Sequence, residues 1–169
     1  MSRLLCVGVL GASNAPLFLK TFVSASETEA AGGPDAFLRV MHCALDVVEA
    51  RLAETTIKTA AGGGAHGAVA GAGRGPKDPF LGMVFATEDH RVYAHVTNTG
   101  ARFLLVYDDA RAPAEADVRA AFARLHDAYA DAASDPFADP GRKIENRAFA
   151  ERVASIAGAG GVGREVPRA

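Results

Sequence analysis

Between Phe80 and Asp108 the chain runs three times through β-branched and aromatic residues, with connections too short to allow anything but strand reversal. The runs are Phe80–Thr87, Arg91–Asn98 and Arg102–Asp108, joined by Glu88-Asp-His90 and Thr99-Gly100. Such residues favour a pleated surface, and such polar, Gly-containing links favour tight turns. The segment is therefore an antiparallel meander, which excludes a sheet built from alternating β and α units. Two further strand-like runs, residues 3–10 and 16–23, flank the turn sequence Ser-Asn-Ala-Pro and read as a hairpin.

The helical period governs the rest. A polar loop, SASETEAAGGPD, leads to a helix predicted over Ala36–Leu52, with Asp35 placed to cap it. Beyond it lies TAAGGGAHGAVAGAGRGPKDP, whose small residues bury too little surface to offset the entropy of ordering, so a flexible insertion is expected over about 55–78. From Pro113 to Ala133, Val118, Phe122, Leu125, Tyr129 and Ala132 recur at spacings of a helix, ended by DPFADPG. A last helix is expected from Ile144 to Ala157, with Phe149, Val153 and Ile156 on one side, before a disordered Gly-rich tail over 158–169. The expectation is one domain over 1–157, α+β in class, with the order β-β-α-β-β-β-α-α: a five-stranded antiparallel sheet with three helices.

Charge narrows the function. Eighteen Lys+Arg face 20 Asp+Glu, a formal net charge of -2, so neither nucleic acid nor an anionic membrane surface is favoured as a partner. No apolar run approaches the ~20 residues needed to span a bilayer, and no direct membrane insertion is expected. The start of the chain, Arg3 followed by LLCVGVL, has the outline of a short secretory signal, but the strand-like PLFLKTFV that follows is better explained by a hairpin. Cytoplasmic residence is the expectation, with Cys6 and Cys43 as reduced thiols in apolar patterns.

Catalytic signatures are weak throughout. Gly8-Val-Leu-Gly11 lacks the third small residue, the helix and the downstream acidic residue of a dinucleotide-binding turn. GAGRGPK at residues 71–77 has no helix N-terminus behind it to hold a phosphate. Asp89-His90 is explained by the turn that contains it, and Ser13 has no base nearby. His42 and Asp46 can meet on one helix face, but two ligands do not make a metal site. His126 falls on the flank of its helix and reads as solvated. The expectation is no catalytic residue, no metal and no cofactor.

The helix over 36–52 carries more. At about 100° per residue, Phe37, Leu38, Met41, Leu45, Val48 and Leu52 form one apolar stripe, enough to bury the helix on a sheet. Val40, Ala44 and Val47, with Cys43 at the margin, add a second stripe and widen the apolar arc to about 220°. Arg39, His42, Asp46 and Glu49 hold the polar remainder. A helix this apolar is covered by its own chain or by another, and a Gly/Ala-rich insertion is poor cover. Val40, Cys43, Ala44, Asp46 and Val47 are therefore the candidate partner-binding residues, Asp46 supplying a polar contact at the border.

The element order resembles the longin or SNARE-like (profilin-like) domains. LDVVEARL, ATEDHRVYAHVTNTGARF and LHDAY…DPF…PG…I…F are, more narrowly, similar to the sedlin-type small subunits of the TRAPP tethering complex. That resemblance covers most of the chain apart from the 24–34 loop, the 55–78 insertion and the tail. It implies a non-catalytic assembly subunit in ER-to-Golgi and intra-Golgi vesicle traffic, peripheral to those membranes through the complex. Its partners would be other TRAPP subunits and, indirectly, a Rab GTPase whose nucleotide exchange the complex promotes. It also places Asp46 at the acidic position of the family's helix. The alternative is a longin adaptor or regulatory subunit of another trafficking complex; a SNARE would continue beyond residue 157 in apolar heptads, where this sequence reads GAGGVGREVPRA.

Overall fold

A computed structural model of the chain describes residues 2–30, 35–61, 78–136 and 141–159. The strands are β1 (Leu4–Leu10), β2 (Pro16–Thr21), β3 (Phe80–Ala86), β4 (His90–Val96) and β5 (Arg102–Asp108). The helices among the described residues are α1 (Ala25–Ala30), α2 (Ala36–Ala61), α3 (Glu115–Ala133) and α4 (Arg147–Ala159), with a 3-10 turn at Asp109–Arg111. The five strands form one sheet in the order β2-β1-β5-β4-β3, with every neighbouring pair antiparallel. The α+β, longin-like architecture expected from the sequence is thus present, with one α-helix more than expected.

Two layers of helix cover the sheet, and the central strands are apolar because both their faces are buried. All of β1 is buried. Val7 and Val9, with Phe103, Leu105 and Tyr107 of β5, join the core beneath Val118, Phe122 and Leu125 of α3 and Phe149, Val153 and Ile156 of α4. Cys6, Leu10, Leu104 and Val106 join a second core beneath Phe37, Met41, Ala44, Leu45 and Val48 of α2. Leu4–Leu10, the stretch with the outline of a signal, is therefore a strand paired on both sides.

Turns follow their residues. In the β1–β2 connection Asn14 takes φ 62°, and the Asn14 and Gly11 amides donate to the Gly11 and Ala15 carbonyls at 2.9 and 2.8 Å. Gly100 stands at φ 82° between β4 and β5, where the Thr97 amide donates to Ala101 O at 2.9 Å.

Helices depart from expectation in four places. The polar loop before α2 contains α1, because Ser24 and Glu27 form a capping box: the Ser24 amide donates to Glu27 Oε2 at 2.9 Å and the Glu27 amide to Ser24 Oγ at 3.3 Å. The helix expected to stop near Leu52 runs to Ala61, since Ala, Glu and Lys support it until the first glycine, Gly62. The insertion expected over about 55–78 therefore overlaps a helix through Ala61; residues 62–77 lie outside the described residues. The last helix begins at Arg147 rather than Ile144, because Asn146 Oδ1 accepts from the Ala148 amide at 2.8 Å as an N-cap. Ile144 instead donates its amide to Leu17 O at 2.8 Å, along the outer edge of β2. The tail expected from 158 shares its first residues with α4; residues 160–169 lie outside the described residues.

Candidate functional site

The face of α2 turned away from the sheet is set by the buried stripe on its other side. Phe37, Met41, Leu45 and Val48 are all at most 5% exposed and fix the helix by rotation. Burial of each such side chain contributes about 1.5–3 kcal/mol. Leu38 and Leu52, at the borders of that stripe, are half-buried.

The five candidate residues divide. Cys43 and Asp46 are exposed, as a docking face requires. Val40 and Val47 are half-buried, packed against the edge of the α2-side core. Ala44 is a correction: it is fully buried at 0% exposure, between Met41 and Val48 in phase, and belongs to the helix–sheet seam. A methyl group adds to either side of a wheel with little bias, and here the narrow spacing of helix and sheet claims it. The unshielded apolar arc is correspondingly smaller than the wheel suggested.

Two arginines fix α2 against the sheet. Arg51 donates from Nη1 to Leu81 O at 2.7 Å and from Nη2 to Met83 O at 3.0 Å, holding the helix to β3. Arg102 of β5 donates to Glu49 Oε1 at 2.6 Å, to Ala12 O at 2.8 Å and to Gly11 O at 3.2 Å. Asn14 Nδ2 reaches the same Glu49 oxygen at 3.1 Å, so the β1–β2 turn, β5 and α2 share one polar junction.

A feature that the sequence did not single out adjoins this face. Leu38, Met41 and Leu45 of α2 and Gly8, Leu10, Pro16 and Leu19 of the hairpin line an apolar groove. Leu19 is 43% exposed there. Gly8 makes room for the helix, since a Cβ at that position would stand 2.7 Å from Met41 Sδ. The available signal was a leucine on an edge strand, which periodicity alone does not distinguish from a core leucine.

The remaining chemistry is structural. Asp89-His90 sits in the β3–β4 turn: Thr87 donates its amide to His90 O at 2.8 Å, Asp89 O accepts from the Asp109 amide at 2.9 Å, and the His90 ring packs edge-on to Phe37. His42 and Asp46 are both exposed on α2. Among the described residues, no group of three or more His, Cys, Asp or Glu side chains converges to hold a metal ion. No helix among them is long and apolar enough to cross a membrane.

Comparison with known proteins settles the lineage. Residues 9–159 match the family model described as Sedlin, a span that takes in β2 to β5, the end of β1 and the helices on both faces of the sheet. The chain belongs to the sedlin family. Among relatives, it is 28% identical over 156 residues to the trafficking protein particle complex subunit 2-like protein of Dictyostelium discoideum, covering 92% of this chain and 97% of that one. It is 30% identical over 152 residues to the protein of the same name in Mus musculus and to that in Bos taurus, covering 89% of this chain and 94% of each. In this sedlin-family chain the likeness runs through α2, the meander and both later helices rather than resting on one motif.

Proposed function

We propose that this sedlin-family chain is a non-catalytic subunit of a trafficking protein particle (TRAPP) complex, serving ER-to-Golgi and intra-Golgi traffic as an assembly adaptor. The reading is carried by the end-to-end likeness to relatives named as subunits of that complex. Physical support comes from α2, whose outer face presents exposed Cys43 and Asp46 beside half-buried Val40 and Val47 on a helix held rigidly by Arg51 and Arg102. A preorganised face of this kind binds with a smaller ordering cost than a mobile one. The neighbouring TRAPP subunit packs on this face. A Rab GTPase is engaged only through the assembled complex, which also brings the chain, cytoplasmic in itself, to the membrane periphery.

The endogenous protein is expected to elute far above its own mass and to co-purify with other TRAPP subunits. Asp46→Arg is expected to abolish that co-purification while far-UV circular dichroism and Tm stay near wild type. A free monomer in gentle lysates would overturn the adaptor reading. Undiminished co-purification of a folded Asp46→Arg variant would move the docking face elsewhere.

A further inference from the structure

On the sheet face opposite α2, His95 of β4 lies between two phenylalanines. Its ring is 6° from parallel with Phe103 of β5 at 5.7 Å and 23° from parallel with Phe122 of α3 at 5.3 Å. Both phenylalanines are buried, so the imidazole occupies the middle of a stack that joins sheet to helix. His126, one turn further along α3, brings a second imidazole to 6.1 Å from His95 and 6.2 Å from Phe103. His126 is exposed.

The carboxylate that acts on His95 is Asp78, and it is already engaged. Asp78, before β3, pairs with Arg119 of α3 at 2.8 Å, and Arg119 also holds Glu115 at 3.0 Å while lying over the Phe80 ring. Tyr93 and Tyr107, packed edge to face, and Tyr129, edge-on to Phe103, also lie on this side, with Asp117 of α3 acting on Tyr107 and Arg124, Asp127, Asp131 and Arg152 carried by α3 and α4. Burial first and His126 second hold the His95 imidazole below its ordinary range, outweighing Asp78.

We propose that the His95–His126 pair is an acid-sensitive latch holding α3 on the sheet. With the His95 ring neutral the stack closes; protonated, it puts a partly buried charge between two phenylalanines and beside a second imidazole, so α3 loosens around Phe122–His126. A histidine whose charged form is disfavoured by folding binds protons more readily in the unfolded chain. Stability is therefore fully present above about pH 6.5 and is lost as pH falls below it, toward the lowered folded value. The docking face on α2 lies across the sheet and stays in place while the latch opens.

Thermal unfolding of the full chain at pH 7.5, 6.5 and 5.5 tests this beside His95→Phe, which keeps the stack without the proton site. Between pH 7.5 and 5.5 the wild-type Tm is expected to fall by about 2–4 °C more than that of His95→Phe. Hydrogen exchange, corrected for its intrinsic pH dependence, is expected to rise in α3 and not in α2. In the wild type, the His95 ring protons followed by NMR are expected to titrate at lower pH than a free histidine, a readout that stands even if His95→Phe does not fold. Equal falls of Tm in the two proteins, or a His95 titration at or above the free value, would overturn the latch.

Discussion

The Arg102 guanidinium, 10% exposed, meets the Glu49 carboxylate, 47% exposed, at 2.6 Å. The cation sits on the sheet and the anion on α2, so the pair spans the seam that orients the proposed docking face. Arg102 also satisfies the Gly11 and Ala12 carbonyls, which makes it the costlier partner to disturb. Glu49→Ala leaves a buried cation with only neutral acceptors. A loss of about 1–2 kcal/mol is expected by urea unfolding, below the cost of breaking a fully buried pair because water still reaches Glu49.

Ala44 and Asp46 separate packing from binding on the same helix. Enlarging the side chain in Ala44→Leu overfills the seam against the sheet and is expected to cost about 1–3 kcal/mol. Asp46→Arg, on the exposed side, is expected to stay within about 0.5 kcal/mol of wild type. Chemical denaturation of the two purified variants distinguishes them.

The two thiols are expected to react at very different rates. Cys6 is fully buried, and burial pushes its thiol up to about 12, so little thiolate exists at neutral pH. Cys43 is exposed. Iodoacetamide at pH 8 followed by peptide mass spectrometry should label Cys43 in the native protein, and Cys6 only after denaturation.

The capping box on α1 makes that short helix sensitive to acid. The Ser24 amide, then Arg3 and the Ser24 hydroxyl, hold the Glu27 carboxyl down at about 2. A depressed carboxylate contributes above its unfolded value and ceases to contribute as pH falls through the folded one. Amide exchange in Ala25–Ala30 is expected to accelerate, beyond its intrinsic pH dependence, between about pH 4.5 and 2. Ser24→Ala should produce the same local loosening at neutral pH.

The sheet was legible because each of its strands carries its own signal. The two tight turns inside 80–108, the all-apolar β1 and the apolar run Phe103–Val106 in β5 admit little else, and α3 shows its period through Val118, Phe122 and Leu125. Boundaries were less legible where a local side chain decides: Asn146 starts α4, and Ser24 with Glu27 makes a helix from a stretch that composition marks as loop. The S-x-x-E pattern was there to be read. Ala44 marks the limit of the helical wheel, which gives direction without depth and cannot tell a methyl group at the seam from one at the surface. The groove beside Leu19 depends on how far α2 stands from β2, a distance set by Gly8 and Met41 together.

One consequence follows from Arg51. A sheet of five strands has two rims, and a bare rim is a template on which a foreign strand can add until fibrils grow. Here the β3 rim has the guanidinium clamped on the Leu81 and Met83 carbonyls and carries two breaks in register, while Ile144 occupies Leu17 at the β2 rim. Both open margins are thereby spoiled as nuclei for runaway polymerisation.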